Sequence, residues 1–284
     1  DDDNIYLIYD DATIAPGFPY TTGDKVQASP SVYKIDGDNI IFSGSNDNNM
    51  YAIRGDGSLL FSVLAGDKVS SSPSFLDEDG DVSIFFGSDD DKIYAVDSDG
   101  NSLSGWPIEL DGTLGGSVVF SDLDGDGEAE VIGSTDAGKI EVFHLNGDSY
   151  PYFPITNDFP FSGSPMIKDI DHDGDLEIIT GSSSNLFVID IKDTGSNSAY
   201  WSMFRGNSQR RGQYLLQDEE DPSCSSDLGD VTGDDNINIL DLVQIANYIL
   251  GVSIPLYECA ADFTQDGNVN ILDLVQIANY ILDN

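Results

Sequence analysis

A β-rich chain of stacked sheet repeats, followed by a small helical module organised around cations, is the fold class this sequence predicts. Three observations carry it. One line of sequence returns five times at intervals of 43 to 47 residues: "NIYLI" from Asn4, "NMYAI" from Asn49, "KIYAV" from Lys92, "KIEVF" from Lys139 and "NLFVI" from Asn185. Asp-Gly or Asn-Gly dipeptides, the strongest short hairpin signal, follow three of these lines (Asp56-Gly57, Asp99-Gly100, Asn146-Gly147). The run "NILDLVQIANYIL" fills Asn238–Leu250 and recurs unchanged at Asn270–Leu282, an offset of 32, with the apolar spacing of an amphipathic helix.

Within each period the elements follow a fixed order. A strand opening "SPSVY", "SPSFL", "GSVVF" or "SPMIK" comes first. An apolar strand ending in glycine follows (Gly44, Gly87, Gly133, Gly181), then the recurring line and its turn. Last comes an aromatic strand marked by Phe18, Phe61, Trp106, Phe153 and Trp201. Four short strands with turn chemistry between them are the content of one propeller blade. One blade cannot cover its own faces, so blades stack around an axis. The sequence holds four full periods, two strands of an earlier blade at its start, and a trailing "RGQYLL" where the next inner strand would fall. The expected architecture is a partial all-β propeller, truncated at its N-terminal side, with a small self-closing ring as the alternative.

The chain has 284 residues, with 52 Asp+Glu against 11 Lys+Arg and a formal charge of -41. Nucleic acid is excluded as a partner, because binding it rests on cations that replace counterions. Insertion into or adhesion to an anionic membrane is disfavoured for the same reason, and no apolar run reaches spanning length. The chain opens without Met and without a signal peptide, as expected of a mature form or a fragment. Acids on this scale either solvate a surface or surround hard cations, and for about a third of them the positions favour cations.

Two periods carry a dense loop between the first and second strands: "DLDGDGEAE", Asp122–Glu130, and "DIDHDGDLE", Asp169–Glu177. Acids stand at positions 1, 3, 5 and 9: Asp122, Asp124, Asp126 and Glu130, then Asp169, Asp171, Asp173 and Glu177. Alternate spacing in a curled loop converges oxygens on one point, as Ca²⁺ requires, with Gly127 or Gly174 permitting the turn. Position 7, Glu128 or Asp175, is expected to offer its backbone carbonyl. The shorter loops at Asp36 and Asp77 lack the ninth-position acid and are expected to hold no ion. The Gly-terminated strand, the DxDxDG loop and the "GWP" strand together resemble FG-GAP/VCBS-type repeats of integrin-like propellers, over Asp1 to about Leu216. The resemblance implies structural calcium in the loops and a variable ligand face, for a carbohydrate or a protein. The closing "WSMFRGNSQRRGQY" fits the last strand of such domains and holds a small basic island, Arg205, Arg210 and Arg211.

Residues 1–216 are therefore assigned to blades and 217–222 to an acidic linker. Residues 223–284 form the duplicated tail. Its copies are "DVTGDDNINILD", Asp230–Asp241, and "DFTQDGNVNILD", Asp262–Asp273. Counted as twelve-residue EF-hand loops, they place oxygens at positions 1, 3, 5, 9 and 12: Asp230, Thr232, Asp234, Asn238 and Asp241, then Asp262, Thr264, Asp266, Asn270 and Asp273. Asn236 and Asn268 offer carbonyls at position 7, while Ile237 and Val269 anchor the loops to the core. Gly267 suits the sharp turn of copy two, and Asp235 in its place makes copy one the weaker site.

A loop followed by one helix, duplicated, resembles the type I dockerin module, which docks a cohesin domain on a scaffolding protein. The resemblance assigns cohesin contact to loop positions 10 and 11, Ile239, Leu240, Ile271 and Leu272, and to Val243, Gln244, Asn247, Val275, Gln276 and Asn279 on the helices. These aliphatics stand where many relatives have hydroxyls, so the alternative is that they serve the dockerin core. Near-perfect internal identity is what a two-fold binder needs, since either helix can then meet the same partner. Cys224 and Cys259 each precede a loop, and a disulfide between them is expected, with an oxidising compartment.

No nucleophile motif, P-loop or dinucleotide fingerprint is present, and His144 and His172 lie in a strand and a calcium loop. The expected function is a secreted or surface-bound bacterial recognition or adhesion module, calcium-stabilised and tethered to cohesin, within polysaccharide-processing assemblies. The rival is a dockerin-bearing polysaccharide hydrolase or lyase.

Overall fold

The computed structural model describes residues 2–78, 80–171, 173–197, 200–207, 210, 212–214, 228–232, 236–250, 258–263 and 269–283. The chain divides into two compact units, Asp1–Tyr214 and Leu215–Asn284.

The first unit holds five antiparallel sheets among the described residues. Sheet A pairs β1 (Asn4–Ile5) with β2 (Tyr20–Thr21). Sheet B is the meander β3 (Ser31–Ile35), β4 (Asp38–Gly44), β5 (Asn49–Arg54), β6 (Leu59–Leu64). Sheet C is β7 (Ser74–Glu78), β8 (Asp81–Ser88), β9 (Lys92–Val96), β10 (Ile108–Glu109). Sheet D is β11 (Val119–Ser121), β12 (Glu130–Ser134), β13 (Lys139–Phe143), β14 (Ile155–Thr156), and sheet E is β15 (Met166–Lys168), β16 (Asp175–Gly181), β17 (Leu186–Thr194). The second strand of each of sheets B, C and D reads as an apolar run because it is covered on both faces.

The third strand shows how sheets stack. Side chains alternate along it, so one set faces the preceding sheet and the other the next. At the junction of A and B, Ile5 and Leu7 join Ile41, Ile53 and Tyr51. At the junction of D and E, Ile140 and Val142 join Phe187, Ile189 and Ile191. Buried serines tie neighbouring first strands: Ser31 Oγ donates to the Pro73 carbonyl (2.7 Å) and Ser74 Oγ to that of Val118 (2.8 Å). Where sheets approach at their turns, only glycine fits. A Cβ on Gly17 would lie 1.9 Å from the Asp56 carbonyl oxygen, and one on Gly105 2.0 Å from that of Asn146. Both glycines have positive φ.

The aromatic positions differ from the sequence expectation. Phe61 lies inside β6, but Phe18, Trp106 and Phe153 each precede a cis proline (Pro19, Pro107, Pro154), and the short fourth strand starts after it. Proline has no N–H for the ladder, so the strand begins only beyond it. Trp201 departs further. Sheet E has three strands, and the segment carrying Trp201 crosses to β11 instead: Asp122 and Ser196 exchange both backbone bonds (2.9 and 2.7 Å), and Phe120 N–H donates to the Trp201 carbonyl (3.0 Å). Trp201 lacks the following proline, and its ring is buried edge-on to Phe75 and stacked on Tyr214. Burial of an indole against two rings outweighs the fourth-strand position. The trailing segment then pairs in parallel with β3: Val32 N–H donates to Gly212 (2.6 Å) and Tyr214 N–H to Val32 (2.9 Å).

The second unit holds α1 (Ile239–Ile249), a 3-10 turn (Glu258–Ala261) and α2 (Ile271–Asp283). Its core is Val231, Ile245, Ala260, Ala261 and Ile277, with Ile237, Phe263 and Val269 packed against it. Members recur at the offset of the repeat: Ile245 with Ile277, Val231 with Phe263, Ile237 with Val269. Both helices are capped alike. Asn238 Oδ1 accepts Leu240 N–H and Asp241 Oδ2 accepts Asn238 N–H, both at 2.8 Å. Asn270 and Asp273 repeat the arrangement at the same distances. Among the described residues no helix is long and apolar enough to cross a membrane.

Candidate functional site

The strand-connecting loops gather carboxylates twice. In sheet D, Asp122, Asp124 and Glu130 each bring an oxygen within 4.8 Å of the others. The curl is made by Asp122, whose Oδ1 accepts Gly125 N–H (2.6 Å) and whose Oδ2 accepts Gly127 N–H (3.1 Å). Glu130, fully buried at the start of β12, accepts Leu123 N–H on Oε2 (2.8 Å). Asp126 and Glu128 are exposed and stand outside the group, Asp126 accepting Glu128 N–H (2.8 Å).

In sheet E the group is Asp171, Asp173, Asp175 and Glu177. The same clasp recurs, with Glu177 Oε2 accepting Ile170 N–H (2.7 Å). Asp175 enters with its carboxylate, where the sequence assigned its carbonyl, because β16 already begins at this residue while β12 begins only at position 9. Asp169 stays outside the group. Asp77, in the shorter loop, accepts Gly80 N–H (2.8 Å) and the Tyr33 hydroxyl.

Both groups suit a hard cation by donor chemistry: every donor is oxygen, and crowding has already raised proton affinity. Burial, with the nearby charges of Asp124 and Asp126, pushes Glu130 up to about 7 against the opposing Leu123 N–H and His144. Hydrogen bonding with Asp173, then burial, pushes Asp175 up to about 6. Carboxylates held this close take up protons or a divalent ion. Lys192 Nζ, 3.5 Å from Asp175 Oδ2 and also paired with Asp190, offsets part of the charge in sheet E.

One neighbour was not singled out from sequence. His144, just past β13, places Nδ1 3.2 Å from Glu130 Oε1. Its signal is the ladder itself: Val131 pairs with Phe143, so Glu130 and His144 come next to each other across the strands. The basic island makes its own local structure, Arg205 Nε donating to the Arg210 carbonyl (2.8 Å).

In the second unit, Asp230, Asp241 and Asp273 are buried. Asp241 Oδ1 accepts both Thr232 N–H (3.0 Å) and Thr232 Oγ1 (2.8 Å), and Thr232 Oγ1 lies 3.3 Å from Asp230 Oδ1. Positions 1, 3 and 12 of copy one are thus drawn together, and the Asn236 carbonyl accepts Asn238 Nδ2 (3.0 Å). Asp262, Asn270 and Asp273 of copy two are described. Asp234, Asp235, Thr264, Asp266, Gly267 and Asn268 lie outside the described residues, as do His172, Arg211, Cys224 and the side chain of Cys259.

The helices present matching exposed faces. Ile239 is 61% exposed and Ile271 60%, and Leu240 with Leu272 and Val243 with Val275 match in the same way. Gln244 and Asn247 are half-buried, Gln276 and Asn279 exposed. These aliphatics do not fill the module's core, because Ile245 and Ile277 on the other helix face already do.

Residues 122–180 match the family model of the FG-GAP-like repeat, and residues 228–282 match that of the Dockerin type I domain. Among solved structures, the chain is similar to the computationally designed Ika4 protein: 15% identity, 60% of this chain and 93% of that one covered, TM-score 0.42. It is also similar to BBS1N in complex with ARL6DN, soaked with lead: 12% identity, 72% and 64% covered, TM-score 0.48. A third is BamB from Moraxella catarrhalis: 15% identity, 64% and 54% covered, TM-score 0.44. The chain spans less than two thirds of the BBS1N and BamB chains. No curated protein matches it.

Proposed function

We propose that this chain, which carries an FG-GAP-like repeat followed by a dockerin type I domain, is a secreted bacterial recognition or adhesion module. It docks through the dockerin to the cohesin of a scaffold or cell surface, in assemblies that process polysaccharides. The observation that carries the reading is the pair of equally exposed apolar helix faces, each set directly after a loop whose terminal aspartate is buried. A surface duplicated in this way offers cohesin two equivalent footholds.

Calcium is assigned to both kinds of loop. In the dockerin, Asp230, Thr232, Asp234, Asn236, Asn238 and Asp241 hold one ion and Asp262, Thr264, Asp266, Asn268, Asn270 and Asp273 another. In the sheets, Asp122, Asp124 and Glu130 hold a third and Asp171, Asp173, Asp175 and Glu177 a fourth. When bound, the ion neutralises the crowded carboxylates and fixes the loop, and the chain's own contribution is to orient those oxygens. A disulfide between Cys224 and Cys259 belongs to the same extracellular reading.

A pull-down on immobilised type I cohesin tests it. Capture is expected in calcium, lost in EDTA, and lost in calcium when Asp241→Ala and Asp273→Ala are combined. Undiminished capture by the double variant would end the dockerin reading.

A further inference from the structure

The two acidic loops share a register and differ at two places. In both, the second residue of the loop donates its N–H to the ninth-position glutamate: Leu123 to Glu130 and Ile170 to Glu177. Position 7 separates them. Asp175 brings its carboxylate into the sheet E group while Glu128 stays outside in sheet D, so one loop gathers four carboxylates and the other three. The ladder position opposite the glutamate separates them as well. In sheet E, Glu177 pairs with Asp190, an acid tied to Lys192. In sheet D the same place holds His144, whose Nδ1 lies 3.2 Å from Glu130 Oε1. The loop with one carboxylate fewer is the one with a nitrogen behind its glutamate.

His144 is held at both ends. Its N–H donates to the Asp148 carbonyl and its own carbonyl accepts Gly147 N–H, both at 2.9 Å, so the turn fixes its backbone. Its ring lies 5.2 Å from that of Tyr150, which is buried. Glu130 is fully buried and each of its oxygens has a partner, Leu123 N–H on Oε2 and His144 on Oε1. An ionised glutamate only accepts, so beside the charged carboxylate Nδ1 carries the donated proton. Each oxygen then keeps a further lone pair for an ion.

We infer that His144 is a positioning residue of the sheet D loop: it holds the Glu130 carboxylate beside Asp122 and Asp124 before an ion arrives, in place of the fourth carboxylate that sheet E supplies. The inference rests on calcium being seated in that loop, as proposed above. His144 stands outside the converging group and acts through Glu130. Outer partners that orient a ligand in this way set metal affinity by about 10- to 100-fold.

Terbium, a luminescent stand-in for calcium, tests this on the full chain. Tyr150 serves as the antenna: burial, then the charges of Asp124 and Glu130, push its hydroxyl up to about 12, which places it beside the loop. The emission lost in Tyr150→Phe is the part that arises in sheet D, and calcium should displace it. His144→Phe keeps a ring against Tyr150 but removes the donor, and should weaken terbium binding there by about tenfold or more. His144→Asn, whose amide nitrogen stands where Nδ1 stood, should stay within a few-fold of the parent. A role in packing alone reverses that order, with Phe harmless and Asn damaging, and overturns the inference. Parent affinity in both variants overturns it too. Glu130→Gln separates this from the calcium assignment itself: a Tyr150-dependent signal that is missing from the parent, or unchanged in Glu130→Gln, removes the ion from the loop and the role of His144 with it. Should His144→Phe lose its melting transition, nitrogen-15 NMR of the calcium-loaded chain decides. The chain has two histidines, so His144→Asn identifies the signal. A proton on Nδ1 is expected, and a bare Nδ1 overturns the inference.

Discussion

Asp90 shows two forces acting in opposite directions on one carboxyl. Burial pulls its pKa upward, but hydrogen bonds from the Tyr94 hydroxyl (2.6 Å), Ser88 and Gly66 N–H (3.1 Å), with the Lys92 charge, hold it below the ordinary value. Asp47 repeats the device one sheet earlier, through Tyr51 and Gly23, and is lowered as well. Each aspartate thereby ties the turn of its own sheet to the segment entering it. A carboxyl whose folded pKa lies below its unfolded one contributes stability that is complete above about pH 4 and disappears as pH falls through the folded value. Asp90→Asn should therefore cost stability at pH 6 and less at pH 3, by a difference of about 0.5–1 kcal/mol after solvent screening. Urea unfolding at the two pH values reads it, and an equal loss at both would refute the assignment. The tie was hidden in the sequence, because Tyr94 stands only four residues past Asp90 but the glycine that completes it, Gly66, comes from 24 residues before. The dockerin repeat, matched over residues 228–282, was legible because the spacing of loop and helix is local. The Glu130–His144 contact was not, since it depends on cross-strand register.

At the scale of elements, the period and its turns were legible because hairpin chemistry is local. The three complete meanders follow the order read from "SPSVY", "IIFSG", "NMYAI" and the aromatic strand. The fourth-strand reading of Trp201 failed because spacing says where a ring falls in the chain and nothing about Phe75, far away in sequence, which captures it together with Tyr214. The duplicated helices carry a prediction of their own. Ile239→Asp with Leu240→Asp leaves the α2 face intact and should weaken cohesin binding by no more than about tenfold. Adding Ile271→Asp and Leu272→Asp should weaken it by a hundredfold or more, about 3 kcal/mol. Calorimetric titration separates these outcomes, and a full loss from the α1 changes alone would remove the equivalence of the two faces.

For the whole molecule, a charge of -41 sets the terms of stability. Self-repulsion of that size opposes the compact state, and the cations proposed for the acidic loops would relieve it where it is densest. Chelation should lower the melting temperature by about 10 °C or more, and about 0.5 M NaCl should return only part of the loss, since screening weakens repulsion without rebuilding the loops. An unchanged melting curve in EDTA would remove cations from the account. The path of the chain's return to its first complete sheet did not show in any motif. That return has a consequence for how the first unit comes into being. Ser196 and Trp201 bond to the backbone at β11, and Gly212 and Tyr214 to that of β3, so the strap that fastens sheets B and D is the last part of the unit to leave the ribosome. Until it emerges, Phe75 waits without its indole and β3 without its parallel neighbour. A chain stopped short of residue 196 would hold its sheets like pages without a binding, open along the inner edge.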